Sequence, residues 1–351
     1  MKKIPVAILA ATGAVGQRFV QLLADHPWFE LTAVTGSERT IGQKYGQVVN
    51  WIVPGPMPEK AANLTILPTE ANIDVPVVFS ALPSKEAWEK EPYFAQGGYA
   101  VVSNASAYRM ATDVPLLIPE LNPDHTELIA SQRASNGWSG FIVTSPNCST
   151  TSAILPLKIL QDNFGLEAAI MVTLQAISGA GYPGVPALDM LDNLVPYIEG
   201  EDSKLEIEPK KLLGEVRHGR LHLADLRLSA QANRVPVLDG HLASVSALLH
   251  DKAAPEQVVE ALQGWRPPAI CAELPGSPAQ PLIYLPEPDR PQPRRDREAG
   301  NGMAWTVGKV RGCDVLDIRF MALTHNTVRG AAGGAILNAE LLVAQGLIAR
   351  P

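Results

Sequence analysis

The sequence predicts an α/β fold in two parts: a doubly wound parallel sheet, then an α+β unit with a mixed or antiparallel sheet. Three observations carry this. The first 24 residues read as an apolar strand, a glycine-bearing turn and an amphipathic helix. Short apolar strands then alternate with helical stretches, the pattern of a parallel sheet covered on both faces. Beyond Cys148 the texture changes, and residues 242–249 alternate as a half-buried antiparallel strand does.

The elements follow in order. Ile4–Leu9 is apolar and rich in branched side chains, residues 10–16 (AATGAVG) form the turn, and 17–24 space Phe19, Val20, Leu22 and Leu23 helically. Residues 31–35 and 75–82 are further buried strands, the second closed by Pro83-Ser84, and strands at 99–103 and 116–118 follow. Residues 149–160 predict a helix, 168–178 a strand, 179–186 a Gly/Pro-rich loop, 315–323 a strand and 330–344 an Ala/Leu-rich helix. Segment 267–302 is dense in Pro, Gly and Arg and too long for a bare loop, so it predicts an ordered excursion packed between subunits.

Composition narrows the function classes. At roughly 150 residues per domain, the 351-residue chain predicts two domains. A formal charge of −7 argues against a basic nucleic-acid footprint. No apolar run reaches the ~20 residues of a membrane span. The apolar start runs straight into the turn without a cleavage site, so it reads as a strand rather than a signal peptide, and a cytoplasmic protein is expected. Cys148, Cys271 and Cys313 are odd in number and widely spaced, which excludes a disulfide framework and a CxxC zinc site; no metal is expected.

Gly13 and Gly16 lie between strand and helix, where small residues let the backbone approach a pyrophosphate at the helix N-terminus. Ala10 stands where the first glycine of that Rossmann fingerprint is usual, so by itself the turn is also compatible with a plain strand–helix connection. The next strand ends in Gly36-Ser37-Glu38-Arg39 instead of an acid placed for ribose hydroxyls. A hydroxyl and an arginine suit a 2′-phosphate, so NADP is expected over NAD, with Glu38 turned to solvent.

Ser145-Pro146-Asn147-Cys148-Ser149-Thr150-Thr151 places a cysteine where a helix begins. Free amides and the helix dipole there favour a thiolate, and the same amides can receive an oxyanion. Cys271 and Cys313, with no helix start nearby, read as structural. A thiolate beside a nicotinamide implies addition to an aldehyde and a thioester product, which needs a proton carrier. His241, in Asp239-Gly240-His241-Leu242 at the start of a strand, is the candidate.

The chain resembles the aspartate-semialdehyde dehydrogenase family, of the branch found in archaea and fungi, over nearly its whole length. The resemblance runs through TGAVGQ (12–17), FSALPS (79–84), SNASAYR (103–109), SPNCST (145–150), QAISGAGYPG (175–184), RVPVLDGHL (234–242), RPQPRRDREAGNGM (290–303) and HNTVRGAAGGAILNAELL (325–342). It implies Cys148 as nucleophile, His241 as general acid/base and Gln175 orienting the acyl group. Arg234 would clamp the substrate carboxylate, Glu201 would meet its amino group, and Arg109, Lys204 and Asn104 would hold phosphate. Thr12, Gly13, Ala14, Val15, Ser37, Arg39, Ala81, Leu82, Ser178, Gly179 and Asn326 would line NADP.

The resemblance also implies an NADP-binding domain of residues 1–148 with 326–351, and a catalytic and dimerisation domain of residues 149–325. The expected assembly is a homodimer or homotetramer. The implied reaction is reversible, NADP-dependent conversion of L-4-aspartyl phosphate to L-aspartate 4-semialdehyde, in biosynthesis of lysine, threonine, methionine and isoleucine. Malonyl-CoA reductase, with the same fold and Cys/His chemistry, is the first alternative. A nucleotide-sensing protein without catalysis is the second.

Overall fold

The computed structural model describes residues 2–350. Six parallel strands form the first sheet: β1 (Ile4–Leu9), β2 (Phe29–Thr35), β3 (Ile66–Leu67), β4 (Val77–Ser80), β5 (Ala100–Ser103) and β6 (Phe141–Thr144), in the order β3-β2-β1-β4-β5-β6. The direction of winding reverses between β1 and β4, which opens a crevice at the carboxyl ends of those strands. Every residue of β4, β5 and β6 is buried, as strands covered on both faces must be. The last helix, Gly333–Ala344, packs Ala335, Ile336, Ala339 and Leu342 into the same core as Val6, Phe19 and Phe79. The chain therefore ends against the sheet with which it began.

The second sheet contains β7 (Leu166–Gln175), β10 (Arg227–Arg234), β11 (His241–Leu249), β12 (Leu282–Leu285), β13 (Trp305–Gly312) and β14 (Ile318–Thr324); β8 (Glu215–Arg217) and β9 (Arg220–His222) form a separate hairpin. Its order is β10-β7-β11-β14-β13-β12, parallel at both ends and antiparallel between. The helix Cys148–Phe164 covers one face, placing Ile154, Leu155, Leu157 and Ile159 against Met171, Val245 and Phe320. β11 alternates between buried and half-buried residues, so its other face is the more open one.

Several boundaries differ from expectation. Residues 116–118 form no strand: Leu116 makes one isolated bridge to Thr144, between Pro115 and Pro119, neither of which has an N–H to extend a ladder. The first helix begins at Ala14, one turn earlier than its apolar spacing suggests. Strand 75–82 shortens to Val77–Ser80, 168–178 becomes Leu166–Gln175, 315–323 becomes Ile318–Thr324, and the final helix starts at Gly333 after a wide turn over Val328–Ala332. The 267–302 excursion is ordered and supplies β12, an edge strand of the second sheet, together with a short helix Pro293–Asp296.

Candidate active site

β6 ends at Thr144, and Pro146-Asn147 carries the chain into the helix that Cys148 opens. Asn147 caps that helix: its Oδ1 accepts from the amides of Ser149 (2.8 Å) and Thr150 (3.2 Å). Those amides were expected to receive an oxyanion. The cap takes both, leaving the amide of Cys148 itself as the helix-start donor outside it. A side chain at Gly330 would put its Cβ 2.8 Å from Cys148 Cβ, so only glycine fits against Cys148.

Contrary to expectation, the helix start does not by itself favour the ionised thiol. Burial of the sulfur, followed by the charge of Glu201, pushes it up to about 11, against the opposing pull of Arg109, Arg234 and the Ser149 hydroxyl.

His241 is the first residue of β11, paired with Thr324, and is wholly buried. Its Nδ1 accepts from the Ala176 amide at 3.1 Å, so the neutral ring carries its hydrogen on Nε2. Nε2 has no protein partner among the described residues. Burial, then the charges of Arg234 and His325, push the ring down to about 3, so it is neutral near pH 7.

Gly179 is the floor shared by His241 and Arg234. A Cβ there would lie 3.0 Å from His241 Nε2 and 2.8 Å from an Arg234 terminal nitrogen. Arg234, at the end of β10 beside Gln175, donates to the Ala176 carbonyl at 2.7 Å. One residue, Ala176, thus holds both side chains, His241 through its amide and Arg234 through its carbonyl.

Glu201 begins the helix Glu201–Leu212 and accepts from Asn147 Nδ2 (2.9 and 3.1 Å), Lys204 Nζ (2.8 Å), Gln175 Nε2 (3.2 Å) and the Ser149 hydroxyl (3.4 Å). Burial opposes its charge, but Lys204, Gln175 and Asn147 together hold it below the usual carboxylate range. Arg109 donates to Glu208 Oε1 (3.0 Å) and to the Asn104 carbonyl (2.8 Å), while its Nε and Asn104 Nδ2, both shielded from solvent, have no protein partner among the described residues. Residues spread from 104 to 241 are thus brought to one corner.

The cofactor residues divide. Thr12, Gly13, Ala14, Ser37 and Arg39 line one cavity of about 480 Å³, together with Gln17 and Thr40. Ala14 and Ser178 line a second, of about 250 Å³, with Arg18, Ile177, Tyr182 and Thr327. Asn326 ties the regions together: its Oδ1 accepts from the Gly240 amide and its Nδ2 donates to Ser178 Oγ, each at 2.8 Å. Ala81 and Leu82 follow β4 but line neither cavity; Leu82 is buried in the core beside Ala7 and Val78, and Val15 packs against the neighbouring core.

The turn fits a dinucleotide on its own geometry. Gly16 has no room for a Cβ, which would lie 2.5 Å from the Ala10 carbonyl oxygen, and Gly13 leaves the mouth of the helix clear of side chains. Ala10 itself sits at φ 58°, the left-handed conformation glycine supplies without strain. Ser37, Glu38 and Arg39 are all exposed, so Glu38 faces solvent as expected.

Sequence reasoning missed Asn147, Glu208, Lys211 and Gly330. The first was signalled by its place before a helix. Glu208 and Lys211 continue the spacing of Glu201 and Lys204 along one helix face.

Fold and site together define a two-domain protein of the dinucleotide-binding class with a thiol centre beside its crevice. Family models for the NAD binding domain and the dimerisation domain of semialdehyde dehydrogenases match residues 5–129 and 157–329. The chain belongs to the semialdehyde dehydrogenase family. It is 49% identical to the aspartate-semialdehyde dehydrogenase of Archaeoglobus fulgidus, covering 98% of this chain and 99% of that one. It is 41% identical to that of Saccharomyces cerevisiae, covering 99% of both. The crystal structure of aspartate semialdehyde dehydrogenase with NADP from Candida albicans superposes with a TM-score of 0.91 at 40% identity, covering 98% of this chain and all of that one.

Proposed function

We propose that this chain is an NADP-dependent aspartate-semialdehyde dehydrogenase, interconverting L-4-aspartyl phosphate and L-aspartate 4-semialdehyde in amino-acid biosynthesis. The observation that carries this is a set of shielded donors without protein partners: His241 Nε2, Asn104 Nδ2 and Arg109 Nε. A buried donor left unpaired is costly, and these three, each beside a residue of the site, are supplied with a partner by a bound substrate. Two of these donors suit a phosphate and the third suits an acyl oxygen.

In the biosynthetic direction, the Cys148 thiol attacks the acyl phosphate to form a thioester; the acyl C–O bond to phosphate breaks, and the phosphate carries the thiol proton away as it leaves toward Arg109, Asn104 and Lys204. NADPH, when bound, supplies the hydride; Thr12, Gly13, Ala14, Ser37 and Arg39 would hold its nucleotide and Ser178, Gly179 and Asn326 its reacting end. His241 Nε2–H donates to the oxygen on which negative charge gathers, and the tetrahedral adduct collapses to aldehyde and thiolate. Because Ala176 engages Nδ1, the ring enters this step as a donor. Arg234 clamps the substrate carboxylate and Gln175 orients the acyl group. The substrate's ammonium, set against Glu201, removes one of the two influences that keep the thiol protonated.

The carboxylate of Glu201 favours an amino-acid substrate over a coenzyme A thioester, and the presence of both Cys148 and His241 favours catalysis over mere sensing. We divide the chain at 1–148 with 326–351, and 149–325, on the shared core of the last helix and the first sheet. A homodimer or homotetramer is supported by the more open face of the second sheet and by Ile170, Leu188, Leu191 and Tyr197, large apolar side chains left exposed. The three unpaired cysteines suit the cytoplasm. Among the described residues, no helix is long and apolar enough to cross a membrane.

The test is NADP reduction by purified protein with aspartate semialdehyde and phosphate, set against malonate semialdehyde and coenzyme A. Phosphate-dependent turnover of aspartate semialdehyde is expected; turnover of the malonate aldehyde with coenzyme A alone would establish the alternative.

A further inference from the structure

The helix Glu201–Leu212 carries Glu201, Lys204, Glu208 and Lys211 along one face, alternating in sign. Glu201 and Lys204 belong to the site already described. Glu208 and Lys211 lie further along and are buried. Glu208 splits its carboxylate: Oε1 accepts from Arg109 at 3.0 Å and Oε2 accepts from the Asn147 amide at 2.7 Å. Lys211 Nζ donates to the carbonyls of Arg109 (2.7 Å), Ala111 (2.6 Å) and Val114 (2.7 Å). One helix therefore grips the Arg109 segment by side chain and by backbone, and the same helix holds the residue preceding Cys148.

An arginine free in solvent loses rotamer freedom when it captures an anion; one already fixed does not. Here two edges of the Arg109 guanidinium are spent on Glu208 and the Asn104 carbonyl, which leaves Nε unpartnered. Because one carboxylate holds both Arg109 and Asn147, it also sets the anion site relative to the thiol. We propose that Glu208 is a positioning residue, which fixes Arg109 for phosphate and ties that site to the base of the nucleophile helix. This rests on the phosphate-dependent reaction proposed above.

Glu208→Gln keeps the shape but gives one of the two donors an amide N–H to face; Glu208→Asp keeps the charge but shortens the reach. Steady-state kinetics on the full-length enzyme, with phosphate, aspartate semialdehyde and NADP varied in turn, separate the possibilities. In Glu208→Gln the KM for phosphate should rise about tenfold or more, and in Glu208→Asp by less. The KM values for aldehyde and NADP should stay within about twofold, and kcat at saturating phosphate should fall by less than the phosphate KM rises. An unchanged phosphate KM, a parallel rise in all three KM values, or loss of folding in both variants would overturn the proposal. A wild-type enzyme indifferent to phosphate would instead overturn the functional reading itself, and this assignment with it; phosphate dependence in wild type with an unaffected variant overturns the positioning role alone.

Discussion

Around Cys148 the anchors are side chains drawn from distant stretches of chain: Asn147, Gln175, Glu201, Lys204, Arg109 and Glu208, buried or half-buried and hydrogen-bonded to one another. Around the turn at residues 10–16 the anchors are backbone atoms and small residues, and Arg39, the charge proposed to meet the cofactor, stands exposed at the edge of an open cavity. The first region is charged and set before any substrate arrives. The second offers amides, space and one exposed cation. A cofactor that enters and leaves at every turnover suits the open region, whereas a reaction needing its oxyanion donor and anion site in register suits the braced one.

The sharpest way to break this contrast is at the braced end. Cys148→Ala should be nearly inactive, since no other group replaces the covalent step, and Cys148→Ser should be severely impaired because a hydroxyl ionises far less readily than a thiol. His241→Asn should bind substrate and cofactor yet lose about 10²–10⁴-fold in kcat. Arg39→Ala probes the open end: a charged contact to a 2′-phosphate is worth about 1.5–3 kcal/mol, so the proposed role predicts that the KM for NADP rises about ten- to a hundredfold while that for NAD is unaffected. An unchanged NADP-to-NAD ratio would remove Arg39 from the cofactor site.

Glu201→Gln tests the electrostatics of the thiol. Removing a negative neighbour favours the thiolate, so the thiol should fall from about 11 and the pH profile of its alkylation by iodoacetamide should move to lower pH. A profile that stays in place would leave burial as the sole cause. The smallest effect belongs to the turn. Ala10 at φ 58° costs about 1 kcal/mol relative to glycine, so Ala10→Gly should raise the urea midpoint by a corresponding amount with kcat unchanged.

What could be read from the chain follows the same division. The nucleotide turn was legible because its parts are contiguous: a branched apolar strand, small residues and a helix within the first 24 positions. Cys148 was legible because a cysteine at a helix start is a local pattern. The strand Arg227–Arg234 escaped, since its sequence RLSAQANR has a polar outer face and little apolar periodicity. The helix Glu201–Leu212 escaped because its charges are buried by partners such as Arg109 and Asn147, 54 to 99 residues away in sequence. Burial reversed the expectation for the thiol for a related reason: a helix start acts locally, but desolvation and Glu201 come from the assembled fold. Asn147 withdrew two of the amides that the local pattern offered, through a cap that residue type and position foreshadowed but did not decide.

The covalent role of Cys148 can be tested without the cofactor. Mass spectrometry of the enzyme mixed with aspartyl phosphate, in the absence of NADPH, should find an aspartyl thioester on the peptide carrying Cys148, and none in Cys148→Ala. An adduct on Cys271 or Cys313 instead, or full turnover by Cys148→Ala, would contradict the assignment of Cys148 as nucleophile.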